Sequence, residues 1–131
     1  MAAETTVFII EDDDAVRESL VVLLEAHGLQ VEAYDAPVRF ARNYRPVPRR
    51  CLVLDQHLAG TTGLDFLASA AGASLDLPVI LVTGQGSAAI RDRARRAGAA
   101  AYLEKPLDGE RLVAAIHDAA AAAAAAASGH R

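Results

Sequence analysis

One cysteine in 131 residues cannot close a disulfide within the chain or build a thiolate zinc site. Nor is there a basic excess. Lys and Arg number 13 against 17 Asp and Glu, for a net charge of −4 and a pI near 5.5, where a general nucleic-acid binder is basic. No apolar stretch matches the roughly 18 residues of a membrane span. The alanine run near the C-terminus comes closest, but alanine is too weakly apolar to insert. The opening MAAETT carries no basic segment and leads into no long apolar run, so it does not read as a secretory signal. The four histidines are scattered without metal-ligand spacing. Apolar residues, by contrast, are plentiful: 53 % of the chain against 23 % charged, too hydrophobic for intrinsic disorder. A chain of this length forms one domain and buries roughly two-thirds of its unfolded surface. The expectation is a soluble, single-domain, cytoplasmic protein.

Short apolar runs alternate with helical patterns, as in parallel βα units. Strands are expected at Val7–Ile10, Val31–Tyr34, Cys51–Leu54, Val79–Val82 and Ala101–Leu103. In the first helix, capped by Asp13 or Asp14, the residues Val16, Leu20, Leu23, Leu24 and His27 recur at core spacing, and Gly28 ends it. Pro37 opens a short second helix. Gln56 to Gly63, with Gly60, Thr61 and Thr62, reads as a loop before a third helix through Leu64, Phe66, Leu67 and Ala71. Ser87 caps a fourth helix that Gly98 ends, and Asp108 caps the last. That last helix carries Leu112, Val113 and Ile116 and then runs into polyalanine. The organisation predicted is one unit over 1–119 and an Ala-rich extension of the last helix over 120–131.

Parallel strands end along one edge, where ligands of open α/β sheets bind. Here four of the five strand ends carry polar functional residues: Glu11 and Asp12, Asp55, Thr83, and Lys105. Three crowded carboxylates repel one another unless a cation shares them. All-oxygen ligands favour a hard ion, and Mg2+ (or Mn2+) suits the set. Lys105 and Thr83 add a positive charge and a hydroxyl, so the edge fits a dianionic phosphoryl group between metal and lysine. No GxxxxGK[ST] run cradles a nucleoside triphosphate. A central carboxylate can instead act as nucleophile and form an aspartyl-phosphate.

The segments VFIIEDDDAVRESL, CLVLDQHLAGTTGLDFL, PVILVTG and AGAAAYLEKPL stand in the order and at the spacing of one family. Over about residues 5–117 the chain resembles a response-regulator receiver domain of two-component signalling. The LDxxLxGxxGLDFL run and the TGxG turn make it most similar to the nitrogen-fixation type. The resemblance implies a flavodoxin-like (βα)5 three-layer sandwich with parallel sheet order 2-1-3-4-5. It makes Asp55 the phosphoacceptor, Asp12 a direct Mg2+ ligand, Glu11 a ligand through water, and the His57 backbone carbonyl a further ligand. It gives Thr83 and Lys105 the phosphoryl oxygens, Tyr102 the part of aromatic switch, and Pro106 a preceding cis peptide. Glu11 departs from the family's usual aspartate by one methylene. Ala59-Gly60 stands where a proline is common, which leaves the loop after Asp55 looser.

His57 and Gln85 lie two residues beyond Asp55 and Thr83, positions expected to border the path of a hydrolytic water and to set the lifetime of a phosphorylated state. The partners implied are a sensor histidine kinase or phosphotransfer protein and a downstream protein target. The kinase docks on Ala15, Ser19 and Val22 of the first helix with Pro106 and Leu107. The target meets the face of the fourth helix, fifth strand and fifth helix. A homodimer formed on phosphorylation is also compatible, with neither nucleic acid nor membrane bound directly. Two other readings stay open: the receiver fragment of a DNA-binding transcription regulator, and an aspartate-nucleophile phosphatase. The phosphatase class needs a second acid in DxDxT, which Asp55-Gln56-His57 lacks.

Overall fold

A computed structural model describes residues 4–129, with backbone alone for Ala70, Ala71 and residues 127–129. Its elements run β1 (Thr6–Ile10), α1 (Asp14–Ala26), β2 (Gln30–Tyr34), α2 (Pro37–Asn43), β3 (Arg50–Asp55), β4 (His57–Leu58), β5 (Thr61–Thr62), α3 (Gly63–Ala68), α4 (Ala70–Ala73), β6 (Val79–Thr83), α5 (Ala88–Arg96), β7 (Ala101–Glu104) and α6 (Gly109–Gly129). The main sheet is β2-β1-β3-β6-β7, parallel at every pair. This is the doubly wound order 2-1-3-4-5 once the small antiparallel β4–β5 hairpin is left out of the count.

Strand alternation divides the apolar residues between two cores. Val7, Ile9, Cys51, Val53, Ile80 and Val82 face Leu20 and Leu24 of α1 and Leu112, Val113 and Ile116 of α6. Phe8, Ile10, Leu52, Leu54 and Leu81 face Phe40 of α2, Leu64 and Phe66 of α3, and Ala94 of α5. The second core is partly aromatic, with Phe40 edge-on to Phe8, Tyr34 and Phe66. Every residue of β1 and β6 is buried, and all of β3 after Arg50. The strands whose ends carry the acids and Thr83 are therefore the most completely buried.

The caps explain where helices begin. Asp13 accepts from Val16 N at 3.0 Å, Ser87 from Ile90 N at 3.1 Å, and Asp108 from Glu110 N at 3.0 Å. Gly28 and Gly98 end α1 and α5 at φ 81° and 89°, the left-handed region that a side chain resists.

Two sequence expectations need correction. His27, read as a core residue, is exposed: α1 ends at Ala26, and the ring Nδ1 meets the Leu23 carbonyl at 2.9 Å. Leu29, just past the glycine turn, fills the core instead. The third helix is two pieces. Ser69 N donates to the Asp65 and Phe66 carbonyls and closes α3, while Ser69 Oγ accepts from Gly72 N and opens α4.

Candidate functional site

β1 and β3 pair Ile10 with Leu54, so Glu11, just past β1, comes beside Asp55, the last residue of β3. β6 lies beyond β3 with Val82 opposite Asp55, and β7 beyond that with Glu104 opposite Thr83. Parallel pairing in this register brings Glu11, Asp12, Asp55, Thr83 and Lys105 to one edge. Backbone hydrogen bonds extend the ladder past the strands: Glu11 N to Tyr34 O at 3.0 Å, Gln56 N to Val82 O and Lys105 N to Thr83 O, both at 2.8 Å.

Glu11 and Asp55 are buried at 3 % and 4 % exposure, Asp12 is half-buried, and Thr83 is fully buried. Carboxylate oxygens of Glu11, Asp12 and Asp55 all lie within 4.8 Å of one another. Buried carboxylates this close repel, and a positive charge is the remedy. Lys105, the only lysine in the sequence, supplies part of it. Its Nζ stands 3.1 Å from Glu11 Oε1 and 3.4 Å from Asp55 Oδ1. Burial pulls the Lys105 ammonium down, but the hydrogen bond to Glu11 and the charges of Asp55 and Glu11 outweigh it and hold it above its usual range. Burial, with the Asp55 charge adding to it, holds the Glu11 carboxyl above the usual carboxylate range, against bonds from Asp13 N and Lys105.

One lysine leaves the cluster with a net deficit of positive charge. Asp55 Oδ1, buried, has no hydrogen-bond partner of good geometry. A buried carboxylate oxygen met only by an ammonium at 3.4 Å, and within reach of two further carboxylates, fits a hard divalent cation.

Thr83 Oγ1 accepts from Gln85 N at 3.1 Å. Tyr102 is half-buried, its hydroxyl donating to Glu104 Oε1 at 3.3 Å, and burial reinforced by the Glu104 charge raises it above the usual phenol range. His57 and Gln85 are exposed. Ala15, Ser19 and Val22 lie exposed along α1, Val22 at 69 %. Pro106, after a cis peptide bond from Lys105, is exposed, and Leu107 is half-buried against the α1–α6 core.

Sequence reasoning passed over three contributors. Gln56 is buried, and its Oε1 accepts from Leu64 N at 3.0 Å while its carbonyl accepts from Gly63 N, tying the residue after Asp55 to the start of α3. Gly63 passes so close that a Cβ there would lie 2.7 Å from the Asp55 carbonyl oxygen. Arg17 reaches back from α1 to the Glu11 carbonyl at 2.9 Å. The sequence shows only a polar residue directly after a strand-end acid, and the burial of Gln56 is seen in the fold alone. Nothing in the spacing marked Arg17.

A profile of the response regulator receiver domain matches residues 7–117. The transcriptional regulatory protein FixJ of Azorhizobium caulinodans is 38 % identical over 116 residues, which cover 88 % of this chain and 55 % of that protein. The solved response regulator StyR superposes with a TM-score of 0.85 at 33 % identity, covering 96 % of this chain and 64 % of that one. The solved FixJ-N superposes with a TM-score of 0.78 at 28 % identity over 92 % of this chain and 96 % of that one. The chain spans about half the length of the curated relatives it matches.

Proposed function

Since the chain belongs to the response regulator receiver domain family, we propose that it accepts a phosphoryl group on Asp55 from a histidine kinase or phosphotransfer protein and switches a protein-interaction surface in response. The observation that carries this reading is the buried Asp55 carboxylate, its Oδ1 paired with the Lys105 ammonium at 3.4 Å within the three-carboxylate cluster. A carboxylate held at a strand end beside a cation can act as the nucleophile of phosphoryl transfer.

Asp55 attacks the donor phosphorus in line, its Oδ–P bond forming as the donor bond breaks. Lys105 and the Thr83 hydroxyl neutralise charge on the phosphoryl oxygens. Glu11, Asp12, Asp55 and the His57 carbonyl are assigned to Mg2+ or Mn2+, which when bound offsets the carboxylate charge and that of the incoming dianion. The Thr83 hydroxyl, whose oxygen accepts from Gln85 N, keeps its own O–H to donate to the new oxygens. Tyr102 then turns inward, and the α5–β7–α6 face presents an altered surface. His57 and Gln85, at the exposed mouth, set how fast water removes the phosphoryl group. The exposed α1 stripe with Pro106 and Leu107 receives the kinase, in a cytoplasmic setting.

Incubation with acetyl phosphate and Mg2+ is expected to add the mass of one phosphoryl group to the wild type and none to Asp55→Ala. Labelling of that variant would refute the assignment. A second reading has one observation in its favour: the chain matches about half the length of FixJ-type relatives, as the receiver portion of a longer transcription regulator does. The adjoining coding sequence in the source genome discriminates between them.

A further inference from the structure

Four successive acids, Glu11 to Asp14, follow β1, yet only the first two belong to the site edge. The structure gives the others separate employment. Asp13 caps α1 through Val16 N, and Asp14 pairs with Arg17. Arg17 does more than neutralise Asp14. Its side chain is 19 % exposed and forked, with Nη2 on Asp14 Oδ1 at 2.6 Å and Nη1 on the backbone carbonyl of Glu11 at 2.9 Å. Its own N–H bonds the Asp13 carbonyl at 2.9 Å.

The Glu11 carbonyl that Nη1 holds belongs to the peptide joining Glu11 to Asp12. A peptide is planar, so restraining its oxygen restrains the Cα of both residues. Among the described residues the Asp12 carboxylate makes no hydrogen bond of its own. Glu11, by contrast, is gripped by Asp13 N at 3.2 Å and Lys105 at 3.1 Å. The placing of Asp12 relative to Glu11 therefore depends on the backbone, and the guanidinium is the side chain that clamps that backbone. Arginine suits the task because its planar fork serves two acceptors in fixed directions, which an ammonium cannot.

We propose that Arg17 is a positioning residue that sets the separation of the Glu11 and Asp12 carboxylates and so makes the cluster selective for the small Mg2+ ion over larger Ca2+. Mg2+ demands near-ideal octahedral geometry, whereas Ca2+ tolerates variable separations. Loosening the clamp penalises the first more than the second. The inference rests on the cation-dependent reading above and goes beyond it by naming a residue that touches neither the ion nor the phosphoryl group.

The test is calorimetric titration of Mg2+ alone and of Ca2+ alone into the wild type, Arg17→Gln, and the charge-balanced Asp14→Asn/Arg17→Gln. The ratio of Mg2+ to Ca2+ affinity is expected to fall on the order of tenfold in both variants, the scale of lost outer contacts to metal ligands. Simple removal of a positive charge would instead strengthen both ions alike and leave the ratio unchanged, and that outcome overturns the proposal. Should Arg17→Gln lose its helical circular dichroism, Arg17→Lys decides the matter, since it keeps the charge without the fork and is expected to show the same fall in ratio. A wild type that binds neither ion overturns the phosphoacceptor reading as well. A wild type that binds Mg2+ alongside an unchanged ratio in the variants overturns only the role of Arg17.

Discussion

Lys105 Nζ lies 3.1 Å from Glu11 Oε1, a contact between residues 94 positions apart that joins the ends of β7 and β1 across the intervening Asp55. The same ammonium reaches Asp55 at 3.4 Å, so one cation serves two buried acids. Lys105→Met strands both. Its loss is expected to cost about 2 kcal/mol in urea unfolding, less than the roughly 3–5 of a fully buried broken pair because the lysine is partly solvated. Lys105→Arg, which keeps the charge, should lose less. An unchanged midpoint in Lys105→Met would show that the contact contributes nothing.

The carboxylate cluster makes the opposite prediction for Asp12. Repulsion among Glu11, Asp12 and Asp55 is a standing cost of the cation-free site. Asp12→Asn should therefore raise the melting temperature without divalent ions and reduce the gain that Mg2+ gives. For the wild type, Mg2+ at about 100 times its dissociation constant is expected to add about 2.7 kcal/mol. Equal Mg2+ shifts in the two proteins, by differential scanning calorimetry, would remove Asp12 from the ion site.

Two glycines near Asp55 are predicted to resist alanine for different reasons. At Gly63 a Cβ would meet the Asp55 carbonyl at 2.7 Å and Leu81 Cδ1 at 2.9 Å. Gly63→Ala must displace the acceptor's own backbone, at a cost of about 1–3 kcal/mol, with slower phosphorylation by acetyl phosphate. At Gly60 space is open, but φ is 79°, so Gly60→Ala should cost only about 1 kcal/mol of backbone strain. Equal rates of phosphorylation in the Gly63 variant and the wild type would show that the approach to Asp55 is not tight.

Cys51 is fully buried in β3, and burial pushes its thiol up to about 12. The folded protein should not react with a chromogenic disulfide reagent at neutral pH, and the unfolded protein should react at once. Below the ordinary value of 9.0 the thiol is protonated in both states and makes no pH-dependent difference. Between 9.0 and about 12 only the unfolded chain ionises, so stability falls by up to roughly 1.4 kcal/mol per pH unit. Cys51→Ala should show a shallower decline through that window. Parallel declines would place the thiol in contact with water.

The sheet was legible because each strand is a short apolar run stopped by a polar residue, and those stops are the site. Glu11, Asp12, Asp55, Thr83 and Lys105 were readable as one edge once the strands were taken as parallel. Helix caps at Asp13, Ser87 and Asp108 were equally local and equally plain. What escaped were contacts decided by direction rather than spacing. His27 fits the α1 periodicity, but the helix ends one residue before it. Ser69 looks like any helix residue until its hydroxyl and backbone are seen to close one helix and open the next. Arg17 sits one step from the core stripe of α1, and only the folded loop shows its guanidinium turned back onto the Glu11 carbonyl.

Asp55 as phosphoacceptor is tested most directly by chemical trapping. Borohydride reduces an aspartyl phosphate to homoserine, marking the acceptor permanently. After acetyl phosphate and Mg2+ treatment, peptide mass mapping is expected to find homoserine at position 55 alone, and none when Mg2+ is chelated. Homoserine at position 12 or 13 instead, or phosphoryl mass that survives with Asp55 unreduced, would contradict it.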